Sequence, residues 1–285
     1  MCHHPRHRHN RYVTLATDAA LLVGDTHADT PFLLAALRTA QHLGLPTVIQ
    51  LGDFGYWPHA DSFLRLARTA RETYGVDVWF IDGNHENFYD LSAHVSKARP
   101  LGADPRSPVE LAPGFVYLPR GSRIRVAGQR VLCVGGATSV DRTLRTPGID
   151  WFIEERLSDA DIDAAIAGGP ADILLSHDAP AGWTIPGLPM LPASWLAELP
   201  AAHEHRRRLA EVFEAVLPSI VVHGHYHVAY AAEIERPWGP VRVYGLAHNG
   251  QHLWGARILT VDGIVHVDPV IGAPSPVGYR GELLG

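Results

Sequence analysis

Cysteine is scarce in this chain of 285 residues, which contains only Cys2 and Cys133. Two cysteines provide neither a disulfide framework nor the thiolate ligands of a structural zinc site. Cys133 lies within the apolar run 131–134, where we expect a buried, unpaired thiol. The low cysteine content favours a cytoplasmic location.

Long apolar runs and an excess of positive charge are lacking as well. No uninterrupted apolar segment reaches the roughly 18 residues of a membrane span, and the amino terminus has no apolar stretch typical of a secretory signal. The formal net charge of −6 gives no indication of a basic surface for general nucleic-acid binding. A small local basic site would still be enough for a nucleic-acid substrate. We therefore expect no membrane partner and no obligate protein partner.

The remaining composition is that of a globular protein, with 46% hydrophobic and 19% charged residues. Residues 1–12 are rich in histidine and arginine, and we expect them to form a disordered tail. Residues 13–285 are then predicted to form a single domain. No internal repeat or clear linker divides this segment.

Two clusters of strand-like runs predict two sheets. Apolar runs at 20–23, 47–51 and 76–81 alternate with helix-like segments, the latter including one around 61–74. This alternation is typical of a sheet with helices packed on its faces. Between 115 and 134, and again after residue 230, strand-like runs follow one another directly, which is typical of antiparallel neighbours.

Histidine is abundant by contrast, with 18 residues, and several of these stand at strand ends. Five strand-like runs are followed by residues that can bind a metal: Gly-Asp25-Thr-His27, Gly-Asp53, Gly-Asn84-His85-Glu86, His177 and Gly-His225-Tyr-His227. Ligands placed just beyond the carboxyl ends of strands converge on one crevice. Carboxylate, amide and imidazole donors together suit Mn, Fe, Zn or Co. The sequence thus predicts a metal centre at this edge.

This ordered set of motifs resembles the calcineurin-like metallophosphoesterase superfamily, with its five blocks in the family's order between residues 24 and 227. The stretch 135–142, followed by 151–155, is similar to phage and bacterial members of uncertain substrate. The resemblance implies an α/β fold, specifically a four-layer α/β/β/α sandwich. Two mixed β-sheets would be flanked by helices, with the active site at the carboxyl-terminal ends of the strands.

The resemblance also implies two divalent transition-metal ions, drawn from Mn, Fe, Zn, Ni or Co. The first ion would be held by Asp25, His27 and His227, the second by Asn84, His177 and His225, and both by the bridging Asp53. A hydroxide shared between the ions would attack phosphorus. His85 would not bind metal but would face the substrate and protonate the leaving group.

These implications predict a metal-dependent phosphoric ester hydrolase whose partner is a phosphate ester, a nucleotide among the candidates. We expect a phosphodiesterase acting on small or nucleotide diesters, ahead of a phosphomonoesterase. Relatives of the serine/threonine phosphatases carry a second Asp and an Arg shortly after the second Gly-Asp, and this chain lacks both. A nuclease and a non-catalytic scaffold of the same fold are the alternatives.

Aromatic residues replace the missing Asp and Arg: Phe54, Tyr56 and Trp57. We expect this cluster to pack in the interior, although one member could stack on a base or aryl group. The acid that would orient His85 is absent from its usual place, and three acids are candidates to substitute for it: Asp82, Glu86 and Asp178.

A few residues outside the five blocks are candidates for other roles. Arg142 is a candidate phosphate contact, and His248 a candidate substrate contact at a strand end. The charged segment 203–208, which includes His205, is predicted to be a solvated helix face. His223 is predicted to have a structural role, because the implied ligand sets are complete without it.

Overall fold

The computed structural model describes residues 15–266 apart from residues 58, 189, 252 and 254. The tail predicted at residues 1–12 lies outside the described residues. Two seven-stranded mixed sheets form the centre of the molecule. No helix in the described ranges is long and apolar enough to cross a bilayer.

The first sheet has four parallel central strands and antiparallel strands at its edges. In spatial order its strands are β14 (Gly263–His266), β13 (Arg257–Thr260), β2 (Ala20–Val23), β3 (Thr47–Leu51), β4 (Asp77–Ile81), β6 (Phe115–Tyr117) and β5 (Val109–Ala112). All residues of β2 and β3 are buried, which explains why both read as continuous apolar runs.

The second sheet is also mixed, and the third to sixth strands in its spatial order run parallel to one another. In spatial order its strands are β1 (Ala16–Thr17), β7 (Ser122–Val126), β8 (Gln129–Val134), β9 (Ile173–Ser176), β10 (Ile220–His223), β12 (Gly239–Gly245) and β11 (Tyr230–Arg236). The hairpin β7–β8 turns at Ala127 and Gly128, both with positive φ angles.

Helices cover the outer face of each sheet. The first sheet is covered by α1 (Thr30–His42), α2 (Asp61–Arg68), α3 (Ala70–Tyr74) and α4 (Phe88–Ala98), and the second by α5 (Asp159–Ala167) and α6 (Leu199–Val216). The helix predicted around 61–74 is therefore two helices. They meet at Thr69, whose hydroxyl donates to the Arg65 carbonyl and whose φ and ψ of −106° and 5° are not helical.

Alternating side chains on the strands build three apolar layers. On β3, Val48 packs outward with α1 to α4, whereas Ile49 and Leu51 point between the sheets. On β9, Leu174 packs outward with α5 and α6, and Leu175 points between the sheets. Because strand residues alternate between faces, each sheet has one helix-covered face and one face against the other sheet. The predicted four-layer α/β/β/α sandwich is confirmed, as is the burial of Cys133.

We predict that the aromatic cluster after β3 divides into an interior part and a surface part. Phe54 is fully buried and stacks on Phe80 with ring centroids 4.4 Å apart, whereas Trp57 is 37% exposed. Phe54→Ala should therefore lower the free energy of unfolding by about 3–5 kcal/mol, the usual cost of emptying an aromatic core site. Trp57→Ala is the matched control and should cost less than about 1 kcal/mol. Urea denaturation of both variants measures the difference, and equal losses would contradict this division.

Candidate metal centre

The predicted ligands lie in loops that follow the carboxyl ends of five strands from both sheets. The loop after β2 brings Asp25 and His27, and those after β3 and β4 bring Asp53 and Asn84. The loops after β9 and β10 bring the other imidazoles: His177, His225 and His227. Asp25 and Asp53 are 0% and 1% exposed. The two sheets therefore meet at a pair of carboxylates that are shielded from water.

Imidazole nitrogens surround these carboxylates at close range. Nε2 of His227 lies 3.0 Å from Asp25 Oδ2, and Nε2 of His27 lies 3.4 Å from Asp53 Oδ2. Nε2 of His177 lies 3.4 Å from Asp53 Oδ1. Two overlapping groups, each with ligand atoms within 4.8 Å of one another, could hold a metal ion: Asp25 with His27 and His227, and Asp25 with Asp53 and His177.

Hydrogen bonds from the far side of each ring fix the nitrogen that faces the centre. Nδ1 of His177 donates to the Leu51 carbonyl at 2.7 Å, so its Nε2 points inward. Nδ1 of His27 lies 3.2 Å from Asn249 Oδ1, and Asn249 Nδ2 donates to Asp29 at 2.9 Å. Metal-binding histidines typically use one nitrogen for the ion and donate from the other to an oxygen. Sequence reasoning missed Asn249, the residue after His248.

The donor set fits a bound cation because its inward atoms have no proper partners without one. With a neutral His177 ring, Nε2 and Asn84 Oδ1 are two acceptors only 3.1 Å apart. Asp25 Oδ2 is buried and has no hydrogen-bond partner, although His227 is close. Facing acceptors are stable only when a proton or a metal ion lies between them.

The buried carboxylates raise the pKa values of His177 and His27, whereas burial lowers the pKa of His225 to about 4. Burial alone would lower the pKa of His177, but the Asp53 and Asp25 carboxylates outweigh it and raise the pKa to about 10. Burial also lowers the pKa of His27, but the Asp53 carboxylate outweighs burial and the pKa rises to about 9. A proton thus provides the charge that a metal ion would provide.

Strained backbone conformations are concentrated at the predicted ligands. His27, Asp53, His225 and His227 have φ angles of 45°, 54°, 67° and 58°. Left-handed conformations are uncommon for residues other than glycine and cost about 1–3 kcal/mol each. Such strain persists where the surroundings determine it, and it is typical of functional sites.

His85 is next to the centre but turns its ring toward an arginine. Its backbone N–H donates to Asp53 Oδ1 at 2.8 Å, and its Nε2 lies 3.1 Å from Arg145 Nη2. Because arginine has only donors, Nε2 of His85 accepts this bond. Arg145 is held in turn by both carboxylate oxygens of Asp141, at 2.8 and 2.7 Å. Arg145 was not predicted, although its spacing from Asp141 is that of an i,i+4 pair.

The three acids considered as orienting partners of His85 are engaged elsewhere. Asp82 binds Arg120 at 2.6 Å, Glu86 accepts bonds from the backbone N–H groups of residues 54–56, and Asp178 binds His205 at 2.8 Å. Their contacts provide no bond to the imidazole of His85. Arg145 instead contacts the imidazole of His85.

The two candidate substrate contacts have different surroundings. His248 stacks on His227 with ring centroids 4.2 Å apart, so it adjoins the candidate centre. Arg142 forms an ion pair with Glu198 at 2.7 Å and lies over the Trp151 ring. Its guanidinium is thus already occupied.

Two other histidines lie in the interior behind the loops. His223 is fully buried, with Nε2 2.6 Å from the Tyr230 hydroxyl, in agreement with a structural role. The prediction of a solvated face is wrong for His205, which is 3% exposed and bound to Asp178. A buried acid in a distant loop attracts this side chain inward, and the charge run alone does not reveal such a partner.

A groove of about 640 Å³ adjoins the centre and reaches His27, His85 and Arg145. Its walls include three exposed apolar side chains: Trp57, Leu144 and Ile149. The Trp57 indole donates to the His85 carbonyl and lies 6.1 Å from the His27 ring. The groove therefore combines the polar edge of the centre with an apolar wall.

We predict that Gly83, between β4 and Asn84, is required for the position of Asp53. A Cβ at this glycine would lie 2.1 Å from both the backbone N and Oδ1 of Asp53. Gly83→Ala should therefore reduce metal binding and lower the free energy of unfolding by roughly 1–3 kcal/mol, as other overpacked sites do. Thermal melting with and without Mn²⁺ measures both effects.

Gly102→Ala is the control for this prediction, because open space surrounds a Cβ at that position. Its φ of 76° makes alanine unfavourable by about 1–2 kcal/mol, so the control matches the loss of stability without touching the centre. The increase in melting temperature on addition of Mn²⁺ should be retained in Gly102→Ala and reduced in Gly83→Ala. An equal increase in the two variants would contradict the prediction.

Comparison with known proteins identifies the family. No curated protein matches the chain, but the family model described as calcineurin-like phosphoesterase matches residues 20–229. The fold is similar to that of TT1561 of Thermus thermophilus, with 13% identity, 88% of this chain and 100% of that chain covered, and a TM-score of 0.52. A dimetal phosphatase of Danio rerio is 14% identical, with 88% and 97% covered and a TM-score of 0.48.

A third similar structure is a protein described as an archaeal phosphodiesterase, which is 12% identical, with 87% of this chain and 99% of that chain covered and a TM-score of 0.41. At these identities the structural likeness concerns the fold alone. The family assignment rests on the model match, which covers well over half of the chain and includes all five predicted blocks. The chain belongs to the calcineurin-like phosphoesterase family.

Proposed function

We propose that the protein is a dimetal phosphoesterase that hydrolyses phosphate diesters. The observation that carries the proposal is the pair of buried carboxylates, Asp25 and Asp53, surrounded by inward-facing acceptor atoms at the edge of an open groove. Two divalent ions bound there would supply a hydroxide nucleophile and neutralise charge on the phosphate oxygens. Asp25, His27 and His227 would hold one ion, Asn84, His177 and His225 the other, and Asp53 both.

The chain's own groups would position the ester and receive the leaving group. His85 lines the groove beside the centre, so it would face an oxygen that departs toward the groove. Its imidazole is held by Arg145, which can instead donate to a phosphate oxygen when substrate enters. Once released by Arg145, Nε2 of His85 would take up a proton from solvent in the groove, and His85 would then protonate or stabilise the departing alkoxide.

The charges of the groove favour a diester over a monoester. Arg145 is neutralised by Asp141, and Asp150 adds another carboxylate to the lining. The bound ions would neutralise charge on either ester, but the additional negative charge of a monoester would face the groove carboxylates. A diester carries only one negative charge and has a second substituent there instead. The exposed ring of Trp57 offers a surface on which a base or aryl group can stack, which supports small or nucleotide diesters.

The identity of the ions and the location are further parts of the proposal. Imidazole together with carboxylate and amide oxygen suits Mn, Fe, Zn, Ni or Co, and Mn²⁺ is the first ion to test. The scarcity of cysteine supports a cytoplasmic location.

We predict different defects for two adjacent residues. Asn84→Ala should lose the second metal ion and most activity, because it removes an oxygen ligand. His85→Ala should retain two Mn²⁺ ions while kcat falls by roughly 10²–10⁴-fold, the usual contribution of a general acid. Metal analysis after dialysis and kinetics on bis(p-nitrophenyl) phosphate measure both effects. Unchanged kcat in His85→Ala would remove this residue from the mechanism, and a wild-type protein without bound Mn²⁺ would contradict the metal centre.

We also predict that Trp57 determines preference for the second ester substituent. Trp57→Ala should raise KM for bis(p-nitrophenyl) phosphate and for a dinucleotide, because stacking on a base is worth about 1–3 kcal/mol. KM for methyl p-nitrophenyl phosphate should change less. Leu101→Ala, at a fully exposed residue outside the groove, is the control. Faster hydrolysis of p-nitrophenyl phosphate than of the diesters by the wild type would overturn the diester preference.

A further inference from the structure

The side chain of Asn84 has two ends of nearly equal shape, but only Oδ1 can bind a metal ion. In the structure, Oδ1 lies 3.1 Å from His177 Nε2 and thus points into the candidate centre. Nδ2 points away and donates to the Ser139 hydroxyl at 3.0 Å. Asn84 is 3% exposed, so no bulk water is available to bind either end. Neighbouring groups must therefore select this orientation of the amide.

Ser139 and Glu155 complete a buried chain of hydrogen bonds behind Asn84. The Ser139 hydroxyl donates to Glu155 Oε2 at 2.6 Å, and the Ser139 backbone N–H donates to Oε1 at 2.9 Å. The two residues are 1% and 0% exposed. A hydroxyl can donate only one hydrogen bond, and here Ser139 donates it to Glu155. Ser139 can then offer only a lone pair to Asn84, so Asn84 must present its NH₂ group to Ser139.

We propose that Glu155 is a positioning residue that sets the direction of this hydrogen-bond chain and thereby holds Oδ1 of Asn84 toward the second metal ion. The inference rests on the proposed function, since it concerns a ligand of that ion. It also gives a role to the segment between β8 and α5. Ser139 follows β8, and Glu155 ends the short 3₁₀ helix Ile153–Glu155. The segment therefore contacts Asn84 on the side that faces away from the candidate centre.

A variant that reverses the direction of this hydrogen-bond chain provides the decisive test. In Glu155→Gln, the new amide can accept from the Ser139 N–H only if its NH₂ group donates to the Ser139 hydroxyl. The hydroxyl proton must then point to Asn84, which would have to turn its oxygen away from the centre. Asn84→Asp combined with Glu155→Gln removes this conflict, because a carboxylate accepts from Ser139 with one oxygen and still offers the other to the metal.

The experiment measures Mn²⁺ binding to the full chain by calorimetry, with electron paramagnetic resonance to distinguish paired from single ions. Glu155→Gln should weaken the second Mn²⁺ site by roughly 10–100-fold, the usual effect of losing a partner of a metal ligand. Ser139→Ala should weaken it in the same direction. The double variant Asn84→Asp/Glu155→Gln should recover most of the affinity and the paired-ion signal. Glu154→Gln, at the exposed neighbouring position, is the control and should bind as the wild type does.

Each outcome bears on the inference separately from the proposed function. Wild-type-like binding of the second ion in Glu155→Gln or Ser139→Ala would overturn the inference and leave the metal centre intact. A double variant no better than Glu155→Gln would also overturn it, because a merely structural role of Glu155 predicts additive damage. Absence of paired Mn²⁺ in the wild type would instead contradict the proposed dimetal centre. If Glu155→Gln does not fold, Ser139→Ala and the double variant are compared instead. A weakened second site in Ser139→Ala with near-wild-type affinity in the double variant supports the inference, and any other result overturns it.

Discussion

The structure depends on the burial of two carboxylates at the edge where its sheets meet. Removal of such groups from water costs several kcal/mol each unless charge and hydrogen bonds compensate. Backbone N–H groups of His85 and His225 donate to Asp53 and Asp25, and imidazoles approach from the other side. The tight turns, the left-handed residues and the glycines without space for a Cβ all bring these partners close. A fold with this arrangement requires positive charge at one fixed place.

A single amide joins the two turns that carry the carboxylates. Gln50, near the end of β3, donates to the carbonyls of Gly24 and Gly52 and accepts from the Gly52 N–H at 3.1 Å. On the other sheet, Asp178 accepts a hydrogen bond of 2.6 Å from the hydroxyl of Tyr226, the residue between His225 and His227. Each half of the centre thus has its own support, built from residues that bind no ion.

Much of the fold followed from the sequence because the central strands are buried on both faces. Such strands read as short apolar runs, and the runs at 20–23 and 47–51 match β2 and β3. The five blocks could also be recognised, because their metal-capable residues directly follow these apolar runs in the sequence. The interruption at Thr69 did not show, because it concerns a single residue within an otherwise continuous helical pattern.

The supporting residues of the centre were harder to predict. His27 and Asn249 are 222 positions apart, and Asn84 and Ser139 are 55 apart, so only the folded chain brings them together. Arg145 and Arg142 are alike in sequence terms, yet one adjoins His85 and the other binds Glu198. His205 shows the same limit, because its buried partner Asp178 lies on a different element. Periodicity reports which face a residue occupies, but not which polar group it meets there.

Because the candidate centre is divided between two sheets, substitutions that alter the spacing of the sheets also alter the centre. Asp25, His27, Asp53 and Asn84 follow strands of the first sheet, whereas His177, His225 and His227 follow strands of the second. The apolar layer between them, which includes Trp79 and Cys133, sets the distance between these halves. Because protein interiors are close-packed, a change of volume in this layer shifts one sheet against the other. Substitutions far along the strands can therefore change the distance between the two halves of the candidate centre while every predicted ligand and every groove residue stays the same.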